Sequence, residues 1–380
     1  MIEQIKKFIF QKKTSSLIRL FPKNSSRGTV VISYLTWPFC EGHNSVRARG
    51  HTNAFEVVTI AEIYQELGYT VEVVDYDNNN YLPPKDCSLA IDLHGQLARW
   101  NKTLPKNCLR ILHATGAHWS FANEAEQARL AAIKKRRGVA LAPRRQVPLS
   151  PSAELADQIV VLGNEFTMQS FAFANKPITR IPISSAYEFS WPKNRDFSLA
   201  KKKFLWLGSY GMVHKGLDLA LEAFAQMPEL RLTICGRPEK EEDFFKLYEK
   251  ELLHTPNIKL HGWIDMASTE FLEIAATHAG IIYPSCSEGG GGCVIHCMHA
   301  GMIPLCTREA SVDLQDFGMF INDGTVEAVV EAARKIAALP DEEVERRARF
   351  ACEHVRVHHT REEFKKNYRS FAVKMIETIK

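Results

Sequence analysis

One stretch of this sequence, residues 280–301, constrains the fold of the chain more than any other. It begins with a short apolar run at residues 281–283 that a Pro-Ser pair ends, as is typical of a buried parallel strand. Glu288 and four consecutive glycines follow. Residues 293–300 then have the composition of a helix, and Gly301 stands where a C-terminal cap belongs. The stretch therefore predicts a strand, a glycine turn and a helix in succession.

This succession has the properties of an anion site. The first N–H groups of a helix lack partners, and the helix dipole places roughly half a positive charge there. Gly289, Gly290, Gly291 and Gly292 would let a phosphate approach the backbone, because they carry no side chain. Glu288 fits beside such a site if it holds a neutral part of the same ligand, such as a sugar hydroxyl. A surface turn without a ligand is the alternative.

The composition limits the class of protein. With 380 residues, 45% of them hydrophobic and 24% charged, the chain can form two globular domains. A net charge of +4 is too small to indicate a nucleic-acid partner. Nine scattered cysteines favour reduced thiols in the cytoplasm. No apolar run approaches the ~18–20 residues of a membrane span, and lysines interrupt the start of the chain too often for a signal peptide.

Residues 1–23 form a distinct basic segment. Ile2, Ile5, Phe8 and Ile9 fall at helical spacing among lysines, which suits an amphipathic helix on an anionic membrane surface. A helix packed on its own domain is the alternative. We therefore expect a cytoplasmic protein, and peripheral contact with the inner face of the membrane stays open.

Strands and helices alternate along the first half of the chain, which predicts a doubly wound parallel sheet. Residues 28–34 and 69–74 have the character of buried strands, and residues 53–67 between them carry apolar rows at helical spacing. The first strand leads into a polar loop that ends at Gly50 and His51. This unit has the layout of a nucleotide or sugar cleft.

Two further short strands, at residues 89–93 and 109–112, are followed by histidines. His94 comes after the first strand, and His113 and His118 come after the second. Because ligands bind at the carboxyl ends of the strands in open α/β sheets, these histidines are candidates for substrate contact or proton transfer. A structural role for each of them is the alternative.

Two charged features of the first half are less specific. Asp75 and Asp77 form a pair that can hold a divalent metal, but an acidic strand end is common and we expect no metal there. Residues 134–137 with Arg144 and Arg145 form a basic patch. The patch is either a solvent-exposed face or a surface that attracts an anionic acceptor.

The alternation starts again after a linker at residues 183–202. A strand at residues 204–207 leads into a loop that begins at Gly208, and residues 217–227 form a helix with Lys215 just before it. A lysine at a helix start can neutralise a phosphate, in a charge-assisted contact of about 1.5–3 kcal/mol. A solvent-exposed lysine without a ligand is the alternative.

The second half of the chain resembles the family 4 (group 1) retaining glycosyltransferases of the GT-B fold. The resemblance covers about residues 203–310 closely and the first domain loosely, through residues 50–56 and the strand near Asp157. The residues that carry it are Gly208, Lys215, Gly216, Asp218, Gly236, Gly262, Pro284, Ser285, Glu288, Gly289, Met298, Ala300, Gly301 and Pro304.

The resemblance implies two doubly wound Rossmann-like domains that face a central cleft. We expect an acceptor-side domain at residues 1–190 and a nucleotide-sugar-binding domain at residues 203–357. Residues 358–380 would form a helix that crosses back onto the first domain.

The resemblance also implies how a nucleoside diphosphate sugar would be bound. Lys215 would hold the diphosphate, and Glu288 would hold hydroxyls of the donor sugar. The backbone near Trp263 and Ile264 would contact the base. The four glycines and Cys293 would meet the phosphates.

For the first domain the resemblance implies fewer contacts. His113 best matches a histidine that contacts the donor sugar, so that Glu288, Lys215 and His113 are the expected catalytic residues. His118 and His51 match less closely, and with Gly50 and His94 they are candidates for contact with the acceptor or the sugar.

Two positions depart from the family pattern. Ser209 stands where an arginine usually follows the first glycine, and Arg237 could supply the missing charge. His296 stands where the family has a second glutamate that binds ribose hydroxyls. A neutral imidazole can accept a ribose O–H, so we expect donor affinity to weaken as His296 protonates between about pH 5.5 and 8.

No metal or cofactor is implied, since the lysine, an arginine and the helix dipole act on the leaving diphosphate. The cysteines and histidines of residues 286–306 could bind zinc, but they include no Cys-x-x-Cys pair, and small buried cysteines beside glycine loops are ordinary packing.

The sequence thus predicts a retaining transferase that moves a sugar from a nucleoside diphosphate to a glycan or a lipid-linked acceptor, in surface polysaccharide or glycolipid synthesis. A non-catalytic GT-B module that binds a nucleotide sugar or a partner is one alternative, motivated by Ser209 and His296. A sugar-nucleotide hydrolase or epimerase is another.

Overall fold

The computed structural model describes residues 16–42, 45–192 and 195–379. The strands are β1 (Leu17–Leu20), β2 (Thr29–Tyr34), β3 (Thr70–Asp75), β4 (Cys87–Asp92), β5 (Leu109–Ala114), β6 (Gln158–Val161), β7 (Ile178–Arg180), β8 (Lys203–Leu207), β9 (Arg231–Cys235), β10 (Ile258–Gly262), β11 (Gly280–Tyr283), β12 (Ile303–Cys306) and β13 (Met319–Phe320). The helices are α1 (Trp37–Glu41), α2 (Val46–Arg49), α3 (Thr52–Glu66), α4 (Gln96–Trp100), α5 (Trp119–Arg137), α6 (Ser152–Leu155), α7 (Glu165–Ser170), α8 (Phe197–Ala200), α9 (Leu217–Phe224), α10 (Glu242–Leu247), α11 (Glu249–His254), α12 (Thr269–Thr277), α13 (Gly292–His299), α14 (Val326–Ala337), α15 (Asp341–His358) and α16 (Arg361–Thr378).

The first sheet contains seven strands in the order β1-β3-β2-β4-β5-β6-β7. All neighbours are parallel except β1, which runs antiparallel to β3 at the edge. Its central strands are buried on both faces because helices cover them, which explains their nearly continuous apolar sequence. Strand β5 continues through Ala114, two residues beyond the predicted end. His113 therefore lies inside the strand rather than after it.

The second sheet is fully parallel, in the order β10-β9-β8-β11-β12-β13. Chain order reverses between β8 and β11, because β9 and β10 lie on one side of β8 while β11 to β13 lie on the other. The loops that leave such neighbouring strands diverge and open a crevice at the carboxyl edge of the sheet. This crevice lies between the loop after β8 and the stretch predicted to bind an anion.

Helix α5 and the segment after it extend from the first domain onto the second. Leu130 and Ile133 of this helix pack into the hydrophobic core of the second domain. Arg136 lies 2.7 Å from Asp218 and forms an ion pair. The basic patch predicted at residues 134–137 is therefore partly an interdomain contact, because buried and half-buried acids of the second domain face it.

The last helix returns to the first domain, as expected. Helix α16 packs against α3, and the rings of Phe55 and Phe364 meet edge to face with their centroids 6.2 Å apart. Arg361 lies over the ring of Phe55 at 4.8 Å. The connection between the domains is also held firmly, because Ser184 donates two hydrogen bonds to the buried Glu56.

Most of the basic segment 1–23 lies outside the described residues. Within it, Leu17–Leu20 is strand β1, and Arg19 bonds to Glu72 across the strand pair at 2.7 Å. Among the helices of the described residues, none is both long and apolar enough to span a membrane.

Candidate functional site

Three glycines bring the ends of β8, β9 and β10 together at the carboxyl edge of the second sheet. The N–H of Gly208 donates to the carbonyl of Cys235 at 3.0 Å, and the N–H of Gly236 donates to Gly262 at 2.9 Å. A Cβ atom at Gly236 would lie only 2.6 Å from the Gly208 carbonyl oxygen. Gly236 therefore leaves no room for a side chain of its own, because the backbone of Gly208 lies against it.

The crevice contains a buried charge pair. Lys215 comes from the loop before α9, and its Nζ lies 2.8 Å from Oε1 of Glu288, which follows β11. The same carboxylate oxygen accepts hydrogen bonds from the hydroxyls of Tyr283 at 2.7 Å and Ser285 at 3.0 Å. Lys215 also donates to the hydroxyl of Tyr283 at 2.8 Å. The two residues that the sequence predicted from separate motifs are thus brought into direct contact.

The electrostatics of Glu288 follow from these contacts. Burial by itself would raise its pKa, but the charges of Lys215 and His214 and the hydrogen bond from Lys215 lower the pKa to about 2. Glu288 is therefore ionised at neutral pH, and a carboxylate is held where sugar hydroxyls could donate to it.

The glycine turn lies against the first domain. A Cβ atom at Gly289 would lie 2.2 Å from the carbonyl oxygen of Thr115, and one at Gly290 would lie 3.2 Å from that of Leu162. These glycines are needed for the close approach of the two domains, in addition to the predicted approach of a phosphate. Cys293 follows in the first turn of α13 and is half-buried.

Trp263 and Arg237 follow β10 and β9, on the side of β8 away from β11. Trp263 is 61% exposed after β10, and the guanidinium of Arg237 lies over its ring at 5.4 Å. The side chain of Ile264 belongs to the hydrophobic core, and contact between its backbone and a base stays a prediction. Ser209 is exposed on the loop after β8.

His296 is hydrogen-bonded to the segment that connects the two domains. Its side chain is 7% exposed, and Nε2 accepts the N–H of Ala186 at 2.7 Å. Burial lowers the pKa of His296 to about 3. The acceptor nitrogen that was predicted for a ribose hydroxyl is therefore already bonded. The predicted loss of donor affinity between pH 5.5 and 8 no longer follows, because the imidazole does not titrate in that range.

His113 is fully enclosed in the first domain. Its ring lies between those of Tyr34 and Tyr368, at centroid distances of 5.5 and 5.8 Å. Neither ring nitrogen has a hydrogen-bond partner in the described residues, and burial lowers the pKa of His113 to about 4. Within the described residues, no hydrogen bond joins His113 to Lys215 or to Glu288.

The other first-domain candidates divide into two groups. His94 and His118 line a cavity of about 160 Å³ at the ends of β4 and β5. His118 caps α5 because its Nδ1 accepts the backbone N–H of Ser120 at 3.4 Å, and the same nitrogen lies 2.7 Å from the hydroxyl of Ser120. Its Nε2 lacks a partner in the described residues. Gly50 and His51 lie apart from this cavity's lining, at the start of α3, where His51 meets the ring of Trp37.

Sequence reasoning missed several members of the site. Tyr283 was interpreted only as the end of a strand, and Ser285 as its terminator and part of the family motif, although both donate to Glu288. His214 directly precedes Lys215, and its Nε2 lies 2.5 Å from the carbonyl oxygen of Ser287. Only the position of His214 beside the lysine could have indicated it, because the other contacts join distant parts of the chain.

Comparison with known proteins identifies the second domain and the fold. Residues 201–339 match the family model described as Glycosyl transferases group 1. No curated protein matches the chain in sequence.

Solved structures resemble the whole chain at low identity. Sucrose-phosphate synthase from Thermosynechococcus elongatus superposes with a TM-score of 0.60 at 13% identity, over 93% of this chain and 100% of that one. Anabaena Alr3699/HepE, in complex with UDP and glucose, gives 0.51 at 12% identity, over 91% and 99%. S. aureus TarM, in complex with UDP among other ligands, gives 0.50 at 14% identity over 74% of this chain, which spans only 54% of TarM.

These similarities agree with the two α/β domains built on largely parallel sheets. The chain has the GT-B fold, and residues 201–339 of its second domain are similar to the group 1 glycosyl transferases.

Proposed function

We propose that this protein is a retaining glycosyltransferase that moves a sugar from a nucleoside diphosphate to a glycan or a lipid-linked acceptor. The observation that carries the proposal is the Lys215–Glu288 pair at the topological switch point of the second sheet. A cation for the leaving diphosphate and an ionised acceptor for sugar hydroxyls stand side by side there. Open α/β sheets bind their ligands at this place.

Each residue has a defined task in the proposed reaction. The bond between the sugar C1 and the diphosphate oxygen breaks while the acceptor oxygen bonds to C1 from the same face. The acceptor proton passes to the departing phosphate oxygen, so no separate base is required. Lys215 and the N–H groups at the start of α13 stabilise the negative charge of the leaving group, and Glu288 orients the donor sugar.

The biological setting is a proposal from the same line of argument. A glycan or lipid-linked acceptor would place the protein in surface polysaccharide or glycolipid synthesis, working from the cytoplasm. Contact with an anionic membrane stays a prediction from residues 1–23, most of which lie outside the described residues.

One observation favours a second candidate function. His296 bonds to Ala186 instead of pointing a free acceptor at a ribose. A GT-B module that binds a partner without turnover would tolerate this loss, because it does not depend on a ribose contact. Incubation of the protein with donor alone, and with donor plus acceptor extracts, separates this candidate from a transferase and from a hydrolase.

The first test is thermal unfolding with ADP, GDP, TDP, UDP and their sugars. A ligand at a hundred times its Kd should add about 2.7 kcal/mol to a two-state domain. We expect one base to stabilise the wild type and the response to be lost in Lys215→Ala. Lys240→Ala, an exposed lysine of the same domain, should respond like the wild type. Absence of any response in the wild type would contradict a nucleotide-sugar site.

A further inference from the structure

The donor crevice of the second domain is short of positive charge. Lys215 is already paired with Glu288, so the pair has no net charge. A nucleoside diphosphate leaves with more than one negative charge, and Ser209 offers none to balance it. A second cation is therefore needed at the loop between Gly208 and Gly216, on the premise of the proposed function.

Arg145 of the first domain reaches this loop. It lies on the segment after α5, and its side chain packs on Gly211, where a Cβ atom would be 2.5 Å from Cγ and 3.0 Å from Cδ of the arginine. Gly211 also has a φ of +81°, so both its conformation and its contact with Arg145 require glycine. A cationic side chain of the other domain thus contacts this loop at Gly211.

The charge of Arg145 is felt at the buried pair. Burial raises the pKa of Glu288, whereas Lys215 and His214 lower it. The charge of Arg145 lowers this pKa further. Arg145 also lines the 160 Å³ cavity that contains His94 and His118. It therefore stands between the donor crevice and the first-domain cavity.

The backbone that carries Arg145 is held in place by Glu126. This carboxylate is 1% exposed and accepts the N–H groups of Arg144 at 3.0 Å and of Arg145 at 2.9 Å. It also accepts the side-chain amide of Gln146 at 2.8 Å. A buried acid that binds three successive residues fixes the direction in which the arginine side chain leaves the segment.

The partners of the neighbouring arginines make Arg145 distinctive. Arg136 pairs with Asp218, Arg137 with Glu251 and Arg144 with Asp243, at 2.5–2.7 Å. These are interdomain ion pairs of one basic segment. The guanidinium of Arg145 is exposed and has neither a hydrogen bond nor an ion pair within the described residues.

We propose that Arg145 is the second cation of the donor site and binds the diphosphate from the first domain, opposite Lys215. A guanidinium suits this task, since its planar donors can bind two phosphate oxygens at once. The diphosphate would then bridge the two domains. Arg237, which the sequence suggested for this charge, is the rival candidate.

The test measures the affinity of ADP, GDP, TDP and UDP, and of the corresponding nucleosides, for wild type and variants. We expect Arg145→Ala to weaken the responding diphosphate by about 10–100-fold, the range of one charge-assisted contact. The affinity for the nucleoside should not change. Arg145→Lys should recover part of the loss. Lys135→Ala removes an exposed charge from the same segment and should bind like the wild type.

The outcomes separate this inference from the proposed function. No binding by the wild type would contradict both. Diphosphate binding that is lost in Lys215→Ala but unchanged in Arg145→Ala would leave the donor site standing and overturn the role of Arg145. A loss in Arg237→Ala instead would assign the second charge to Arg237. Circular dichroism and the unfolding midpoint of each variant check that the exposed substitution leaves the fold intact.

Discussion

Two glutamates in this protein have pKa values that are shifted in opposite directions. Glu288 in the second domain receives Lys215, Tyr283 and Ser285 on one oxygen, and its pKa falls to about 2. Glu56 in the first domain receives only Ser184 on one oxygen, and its other oxygen has no partner in the described residues. Burial raises the pKa of Glu56 to about 7, and the hydrogen bonds from Ser184 do not offset it.

The comparison shows that burial raises the pKa of a carboxyl group, whereas pairing with a cation lowers it. Burial disfavours the ionised form of both carboxylates, and only the one that faces cations has its pKa lowered below the usual value. Glu56 lies instead in a polar cluster with Tyr34, His113 and Tyr368, whose polar side-chain atoms lack hydrogen-bond partners in the described residues. In the second domain the carboxylate lies beside cations and forms a charged site. In the first domain the polar groups are enclosed beneath α16, and no opposite charge of the described residues lies beside them.

The largest expected effect comes from breaking the charged pair. Lys215→Met should destabilise the protein by about 3–5 kcal/mol, because it leaves a buried carboxylate uncompensated. Since the folded pKa of Glu288 lies below its usual value of 4.5, its contribution is present above pH 4.5 and is lost as the pH falls toward 2. Urea unfolding at pH 7 and pH 3 measures both effects.

The double variant Lys215→Met/Glu288→Gln is the control for this prediction. It removes both charges, so it should recover much of the stability that the single variant loses. An equal loss in the single and double variants would show that packing, and not the charge pair, dominates this site.

Substitution of Glu56 should change the stability less than substitution of Lys215, and the change should depend on pH in the opposite direction. The pKa of Glu56 in the folded protein, about 7, lies above the usual 4.5. Its contribution to stability is therefore fully present below pH 4.5 and is lost as the pH rises through 7. The full difference is about 3 kcal/mol. Glu56→Gln should lack this loss, and the difference from wild type should grow in its favour between pH 4.5 and 8.

Chemical unfolding across this pH range measures the difference. Glu62→Gln, a half-buried glutamate of the same helix, is the matched control and should follow the wild type. Parallel pH profiles for wild type and Glu56→Gln would show that Glu56 titrates as an ordinary carboxyl.

His113 should give the smallest change in stability. Because both of its ring nitrogens lack partners, His113→Phe removes unsatisfied polar atoms and should alter the unfolding free energy by no more than about 1.5 kcal/mol. If His113 contacts the donor sugar in the working enzyme, sugar transfer will fall although stability does not. A stability loss above about 3 kcal/mol would indicate a bonded nitrogen.

Local patterns carried the prediction of the fold and part of the site. The apolar run before Pro284, the glycines after Glu288 and the lysine before α9 each lie within one short window. Their helix and strand character is therefore visible without knowledge of the rest of the chain. The end of β5 was placed too early, because His113 looked like a polar terminator although its burial between two tyrosines lets the strand continue.

Sequence could not assign the partners of polar groups in the same way. Residues 134–137, Arg144 and Arg145 were interpreted as one patch. Three of its arginines, at positions 136, 137 and 144, are paired with acids about a hundred positions away, while Arg145 is not. His296 was expected at a ribose because the family motif has a glutamate there. Its bond to Ala186 depends on where the connection between the domains passes.

By itself, the sequence determined the alternation of strands and helices, the two domains and the chemical types assembled at the second sheet, because periodicity and glycine positions act locally. The tertiary structure alone decided which charges meet. Glu288 and Lys215 are 73 positions apart, and His296 and Ala186 are 110 apart. Such pairs form only when the sheet order and the docking of the two domains bring distant segments together. Burial at those places then sets which groups stay charged.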